Sequence, residues 1–350
     1  MAGPAASVQP LDTLGMFEAT AGLPEQVEQA ATAADDLAGL PDRADIENVL
    51  VLGMGGSGIA GDLLAAVAGP FMAVPVVVCK GYEPPSFAGR GTLCFALSFS
   101  GNTEETLEAA TTAATTGAHM VVVAGGGQLG RLAEGWGAPL IGLPDGIPMP
   151  RAGIGALAIP PLLALERVGL FPGASGWVAE AVTQLKARRG QLVRDANPAR
   201  DLARRIGRTL PIIYGGGDVG HVAALRWKNQ VAENAKVPAF ASVVPELTHN
   251  EICGWGQHGD MTRQVFTLLM LRHDHEHPQV MRRFDLVREW TEEVVASIDE
   301  VHAEGEGALA QLFDLILFGD FVSLHLAYQE GVDPGPIPVL ESIKAALAER

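Results

Sequence analysis

Hydroxyls and a glycine crowd into one short stretch, Ser98-Phe99-Ser100-Gly101-Asn102-Thr103-Glu104-Glu105-Thr106. Gly101 can take a positive φ, and Asn102 with Glu105 three residues on has capping-box spacing, so a helix is expected to start here with unpaired backbone N–H groups. Those N–H groups, the helix dipole and the hydroxyls of Ser98, Ser100 and Thr103 would make a neutral cradle for a phosphate. The competing reading is an ordinary serine-rich cap, in which Glu104 and Glu105 repel an anion unless they project outward. Two glycine clusters, Gly53-Met54-Gly55-Gly56-Ser57-Gly58 and Gly215-Gly216-Gly217-Asp218-Val219-Gly220, each satisfy G-x-G-x-x-G. A dinucleotide site also wants an acidic residue after the second strand, where this chain has Lys80, so a nicotinamide oxidoreductase is disfavoured. The glycines can equally serve close helix–strand packing.

Titratable candidates lie farther along. Glu233 falls eleven residues after Val222, about 20° of helical rotation, on a stripe with Arg226 and Asn229. A carboxylate on that partly apolar stripe can face inward with a raised pKa, as a general base requires; it can also pair with Lys236 at the surface. His249 sits between Thr248 and Glu251, again at capping-box spacing. That would put it in a first helical turn, where the dipole favours a neutral imidazole able to take and return a hydroxyl proton; a structural histidine is the alternative. Arg151 follows Pro148-Met149-Pro150, whose prolines fix the approach of the chain. Its guanidinium can stabilise developing negative charge, or belong to a surface linker. The run His273-Asp274-His275-Glu276-His277 has spacing that can bind zinc or iron, but without a second ligand cluster it is read as a solvated polar loop.

Alternating strand-like and helix-like segments must position these groups. Strands are expected at 47–53, 74–79, 92–98, 119–124, 139–143, 210–214, 239–244, 265–271 and 296–301. Helices are expected in the first 45 residues with a start at Pro24, from Gly153 with an interruption or start near Pro160-Pro161, around 177–206, at 307–329 and at 339–349. This is the pattern of an α/β fold with parallel sheets flanked by helices. Its two strand–glycine–helix units suggest a tandem pair of domains, over 1–170 and 171–350.

A charge of −17, from 24 Lys+Arg and 41 Asp+Glu, has the wrong sign for a nucleic-acid protein. It also means that a bound phosphate must be held by local neutral donors. Cys79, Cys94 and Cys253 form no CxxC pair, and Met1-Ala2-Gly3-Pro4 does not open a signal peptide. No lipid-facing span is read, so a cytoplasmic protein without membrane contact is expected.

The glycine cluster at 53–58 taken together with the segment 98–106, Leu14-Gly15-Met16 and Leu23-Pro24-Glu25-Gln26 resembles sugar isomerase (SIS) domain proteins, and within them the bifunctional phosphoglucose/phosphomannose isomerase family. The resemblance spans nearly the whole chain. It implies two tandem SIS domains, a homodimer with active sites near the interface, and metal-free, cofactor-free isomerisation of glucose 6-phosphate and mannose 6-phosphate with fructose 6-phosphate through a cis-enediolate. By the same resemblance Gly56, Ser57, Ser98, Ser100 and Thr103 hold the 6-phosphate and Glu233 is the base. It makes His249, from the partner subunit, the ring-opening group; Arg151 stabilises the enediolate and Lys344 reaches the sugar. Two departures stand out: Phe99 replaces a more usual tyrosine, and Gly335 stands where relatives often carry a hydroxyl residue, which bears on epimer preference. A regulatory SIS protein that binds a sugar phosphate without catalysis is the rival, disfavoured by the joint presence of Glu233, His249 and Arg151.

Overall fold

The computed structural model describes residues 11–349, so the reading of residues 1–4 as lacking a leader lies outside it. Two helices open the described chain, α1 (Met16–Ala21) and α2 (Leu23–Ala33), the second starting with Pro24 in its first turn. Then β1 (Asn48–Leu52), α3 (Gly55–Ala68), β2 (Val76–Cys79), β3 (Thr92–Ser98), α4 (Glu104–Thr115), β4 (His119–Ala124), α5 (Gly127–Trp136) and β5 (Leu140–Gly142) alternate. The five strands form a parallel sheet in the order β2-β1-β3-β4-β5, with Val51 opposite Phe95 and Phe95 opposite Val121. Helices cover both faces, so β3 is buried at every position and reads as a continuous apolar run.

Three helices follow, α6 (Ile154–Val168), α7 (Ala174–Leu192) and α8 (Pro198–Ile206). Pro160 and Pro161 do not interrupt α6, which runs through both. The single helix expected around 177–206 is instead two, because Asn197 caps a new start: its Oδ1 accepts from Arg200 N at 2.9 Å and Pro198 takes the first helical position. A second parallel sheet, in the order β7-β6-β8-β9, is built from β6 (Leu210–Gly216), α9 (Gly217–Gln230), β7 (Phe240–Val244), α10 (Gly259–Val265), β8 (Phe266–Arg272), α11 (Pro278–Thr291) and β9 (Ser297–His302). The chain then enters α12 (Gly307–Gln329) and α13 (Pro338–Ala348).

Strand periodicity sorts the core. In β1, Val49 and Val51 face a central layer while Leu50 and Leu52 face Ala109 and Ala113 of α4 and Leu129 of α5. In the second sheet Ile213, Leu269 and Leu271 face the same central layer, and Ile212, Tyr214, Leu268 and Met270 face Val280 and Phe284 of α11. The central layer, with residues from α3, α6, α9 and α12, is therefore shared by both sheets.

Helix α12 is long and apolar enough to cross a membrane by length and composition, with a mean hydropathy of 1.5, yet 94% of its apolar window is buried. Its two aspartates are buried against arginines from other helices. Asp314 takes Arg188 at 2.7 and 2.6 Å, and Asp320 takes Arg226 at 3.1 and 2.7 Å. Removing either partner would strand a buried charge, so these pairs fix how α12 seats on α7 and α9.

Candidate active site

The two glycine loops repeat one backbone device: Gly55 at φ 53° begins α3, and Gly217 at φ 57° begins α9. Neither helix has a side-chain cap, which leaves first-turn amides free. Ser57, in the first turn of α3, is buried and its Oγ accepts from Phe99 N at 3.3 Å. Beside it Ser98 Oγ lies 3.0 Å from Thr103 Oγ1 and accepts from Gly101 N at 3.1 Å, while Ser100 Oγ accepts from Asn102 N at 3.1 Å. Gly101 is at φ 69°, and a Cβ there would lie 1.9 Å from Gly126 O, so the turn needs glycine twice over.

The expected capping box is not formed. Helix α4 starts at Glu104 after Thr103, with no side-chain cap, because Asn102 instead accepts from Gln128 N and donates to Ser100 O. That leaves the α4 amides unpaired as well. Glu104 is exposed and Glu105 half-buried, with no hydrogen bond from either into the hydroxyl cluster among the described residues.

Gly56 joins this cluster to the arginine. A Cβ on it would lie 3.1 Å from Pro150 O and 3.6 Å from Arg151 Cα, so the start of α3 packs directly on the 3₁₀ turn Pro150–Ala152. Arg151 is not a surface linker residue: it is 2% exposed. Its Nε donates to Asn234 Oδ1 at 2.6 Å, and its Nη2 donates to Pro334 O at 2.5 Å and Gly335 O at 2.8 Å. Nη1 is buried without a hydrogen-bond partner and lies 3.7 Å from Glu233 Oε2. Burial draws the Arg151 pKa below its ordinary value, and the Glu233 charge opposes the shift.

Glu233 does not continue the stripe of Val222 and Arg226. Residues Val231–Ala235 form a π-helical turn, whose wider winding rotates Glu233 off that buried stripe and leaves its side chain 31% exposed. The expected surface pair with Lys236 is also absent, since Lys236 Nζ donates to the main-chain oxygen of Glu233 rather than to its carboxylate. Arg226 supports the site from below, with Nη2 donating to Arg151 O at 2.6 Å as well as to Asp320. Asn234 is braced too: its Nδ2 donates to Ser323 Oγ at 2.8 Å, and that hydroxyl donates to Asp320 O at 2.6 Å. Burial raises the Asp320 pKa, an effect that Arg226 counters. Arg226 was visible in sequence as a charge on a partly apolar stripe; Asp320 was missed, although a carboxylate inside the apolar 307–329 segment is the signal that could have found it.

His249 and Lys344 stand apart. His249 closes a 3₁₀ turn, Glu246–His249, and does not open a helix; Thr248 donates to Pro245 O and Asn250 caps the next short turn, so the Thr248–Glu251 box is not made. The segment is tied to β6 by Tyr214, whose hydroxyl donates to Glu251 and accepts from Trp255 Nε1 at 3.2 Å. His249 is exposed, as is Lys344 on α13. Among the described residues neither is a hydrogen-bond or ion-pair partner of Arg151 or Glu233.

The 273–277 run is less solvated than expected. His273 is buried, with Nδ1 accepting from His275 N and Nε2 at 2.7 Å from Gly216 O, which fixes a neutral Nε2–H tautomer; burial lowers its pKa accordingly. Glu276 is buried in a paired contact with Arg272 at 2.9 Å. Among the described residues no group of three or more His, Cys, Asp or Glu side chains could hold a metal ion.

Residues 195–347 match the family model of the bacterial phospho-glucose isomerase C-terminal SIS domain. Over 338 residues the chain is 35% identical to a bifunctional phosphoglucose/phosphomannose isomerase of Caldicellulosiruptor bescii, covering 95% of this chain and 99% of that one. The chain belongs to the bifunctional phosphoglucose/phosphomannose isomerase family. A Thermoplasma acidophilum member of that family is 31% identical over 303 residues, 86% of this chain and 90% of its own. In fold, tagatose-6-phosphate ketose/aldose isomerase from Escherichia coli superposes with a TM-score of 0.73 at 14% identity, over 94% of this chain and 98% of that one. As a phosphoglucose/phosphomannose isomerase family member the protein is a sugar-phosphate isomerase, and its two parallel sheets are those of the SIS fold.

Proposed function

We propose that the protein interconverts glucose 6-phosphate and mannose 6-phosphate with fructose 6-phosphate through a cis-enediolate. The observation that carries this reading is the unpartnered Nη1 of buried Arg151, 3.7 Å from the Glu233 carboxylate and adjoining the hydroxyl cluster through Gly56. Ser57, Ser98, Ser100 and Thr103 hold the phosphate, with the amides at Gly56 and the starts of α3 and α4 adding neutral donors. Phe99 is compatible with this, because its contribution to the cluster is a main-chain N–H to Ser57 and does not depend on a ring hydroxyl.

In the reaction, His249 of the partner subunit takes the C1 hydroxyl proton as the C1–O5 bond breaks and returns it to O5. Glu233 then removes the C2 proton, and the electron pair forms the C1–C2 double bond while charge moves onto O1. Arg151 faces that charge. Return of the proton to C1, with loss of the O2 proton and protonation of O1, gives the ketose. Return to the opposite face of C2 gives the epimeric aldose. Arg151 thus deals with the reacting end and leaves the phosphate to uncharged groups, as the −17 net charge of the chain favours.

Lys344 reaches the sugar in the assembled homodimer, where the exposed Val339, Leu340, Ile343 and Leu347 of α13 gain cover. The division into a phosphate-binding unit, 1–170, and a base-bearing unit, 171–350, working in the cytoplasm, is part of the same proposal. The test is Glu233→Gln, which keeps the shape and removes the base. Loss of about 10²-fold or more in kcat is expected in coupled assays with each hexose 6-phosphate. A variant with near-normal turnover would sink the mechanism.

A further inference from the structure

Among the described residues Lys236 is the one non-glycine position with positive φ, at 59°. A left-handed backbone is disfavoured for a residue that carries a side chain, and glycine ends a helix this way without that cost. The strain falls immediately after the π turn Val231–Ala235 that carries Glu233. What glycine cannot supply is the side chain. Lys236 Nζ donates to the main-chain oxygen of Glu233 and lies 3.4 Å from Pro334 O, the same carbonyl that takes Arg151 Nη2 at 2.5 Å. One ammonium therefore joins the turn bearing the carboxylate to the loop that anchors the guanidinium.

We infer that Lys236 is a positioning residue for the isomerisation, clamping the Glu233 turn to the Pro334–Gly335 loop so that base and cation keep their relative placement while the proton moves. The inference rests on the reading of Glu233 as the base. The surroundings fit a built-in role: burial and the charge of Arg151 draw the Lys236 pKa below its ordinary value, with Asp333 and Glu233 opposing. An ammonium over the last carbonyls of a helix is also favourably placed against its dipole.

Two variants test it. Lys236→Asn keeps a residue that tolerates the left-handed backbone but cannot bridge the two carbonyls, whereas Lys236→Arg keeps donors long enough to do so. The Asn variant is expected to melt no lower than the parent yet to lose about 10²-fold in kcat, with KM for the hexose 6-phosphate changed by less than about twofold, because the phosphate cradle is untouched. The Arg variant should recover most of the lost kcat. Amide exchange across 231–236 should accelerate in the Asn variant and not in the Arg variant. Parental kcat in the Asn variant, or equal losses in both variants, would overturn the inference. Should the parent itself turn over no hexose 6-phosphate, it is the proposed activity that fails; the exchange measurement then still decides the clamp, and unchanged exchange in the Asn variant rejects it.

Discussion

Replacing Arg151 with lysine keeps the charge and removes the fork. In the native chain three donated hydrogen bonds radiate from this guanidinium, to Asn234 Oδ1 and to the carbonyls of Pro334 and Gly335, with Nη1 left over for the face toward Glu233. A single ammonium cannot occupy the Nε and Nη2 positions together, so at the Nη2 position it keeps the two carbonyls and loses the Asn234 bond inside a buried site. At about 1.5–3 kcal/mol for a hydrogen bond to a charged group, the expected destabilisation is about 2 kcal/mol. With unfolding entropy near 2.1 cal/mol/K per residue, that is a drop of about 3 °C in melting temperature for a chain of this length. The catalytic effect is separate, because the group facing Glu233 is withdrawn. A loss of about 10²–10³-fold in kcat/KM is expected, carried mainly by kcat. Calorimetry and a coupled assay run on one preparation read both numbers. Arg204→Lys is the control, since Arg204 holds only an exposed pair with Asp201 and should move neither. If Arg151→Lys kept kcat/KM near the parental value while melting lower, Arg151 would be an architectural residue and the assignment of its free Nη1 to the reaction would be wrong.

A Cβ added at Gly335 would lie 2.7 Å from Leu14 Cγ, so Gly335→Ser should cost about 1–3 kcal/mol in urea melts, and Leu14→Ala in the same chain should restore most of it. A Gly335→Ser chain as stable as the parent would show that Leu14 yields freely. His325 accepts from Asn197 Nδ2 at 3.3 Å, and burial first, then Arg200 and Arg204, lowers its pKa from 6.5 to about 4. The unfolded chain therefore binds this proton first as pH falls: the contribution is complete above about pH 6.5 and is lost progressively down to about pH 4, amounting to about 2 kcal/mol after allowance for solvent screening. His325→Gln, which can still accept from Asn197, should flatten that part of the stability-against-pH curve; an unchanged slope would exclude His325 as its source.

What could be read before the structure depended on the range of the interaction. The strands announced themselves because Val49 to Leu52, Leu93 to Leu97 and Leu268 to Leu271 are buried on both faces and need little but apolar bulk. The hydroxyl cluster was legible for a similar reason: Ser98, Ser100, Gly101 and Thr103 act on one another within a single turn. Its cap was misread, because Asn102 found a partner in Gln128, on another helix. The π turn at Val231–Ala235 carries no periodic mark, so the direction of Glu233 could not be read from helical rotation. The bonds that hold Arg151 join residues 83, 183 and 184 positions apart, beyond any local pattern. Lys344 was singled out by family likeness and His249 by that likeness together with a capping-box spacing that does not form, and the isolated chain gives their side chains no partner among the described residues.

The buried aspartates of α12 have a consequence for the order in which the chain can be completed. The faces of α7 and α9 that carry Arg188 and Arg226 are made 126 and 94 residues before Asp314 and Asp320, respectively, emerge. Until then Arg226 lacks its carboxylate, Arg188 has only the exposed Glu304, and much of the central apolar layer is uncovered. The outer face of the first sheet, closed by α4 and α5, needs nothing beyond residue 138 and can consolidate on the ribosome. The layer beneath it must wait for α12. A stop codon or a protease cut ahead of α12 therefore would not yield a working enzyme short of two helices. It would yield two sheets facing an open, sticky interior with Arg226 unpaired, a species for chaperones and proteases to clear.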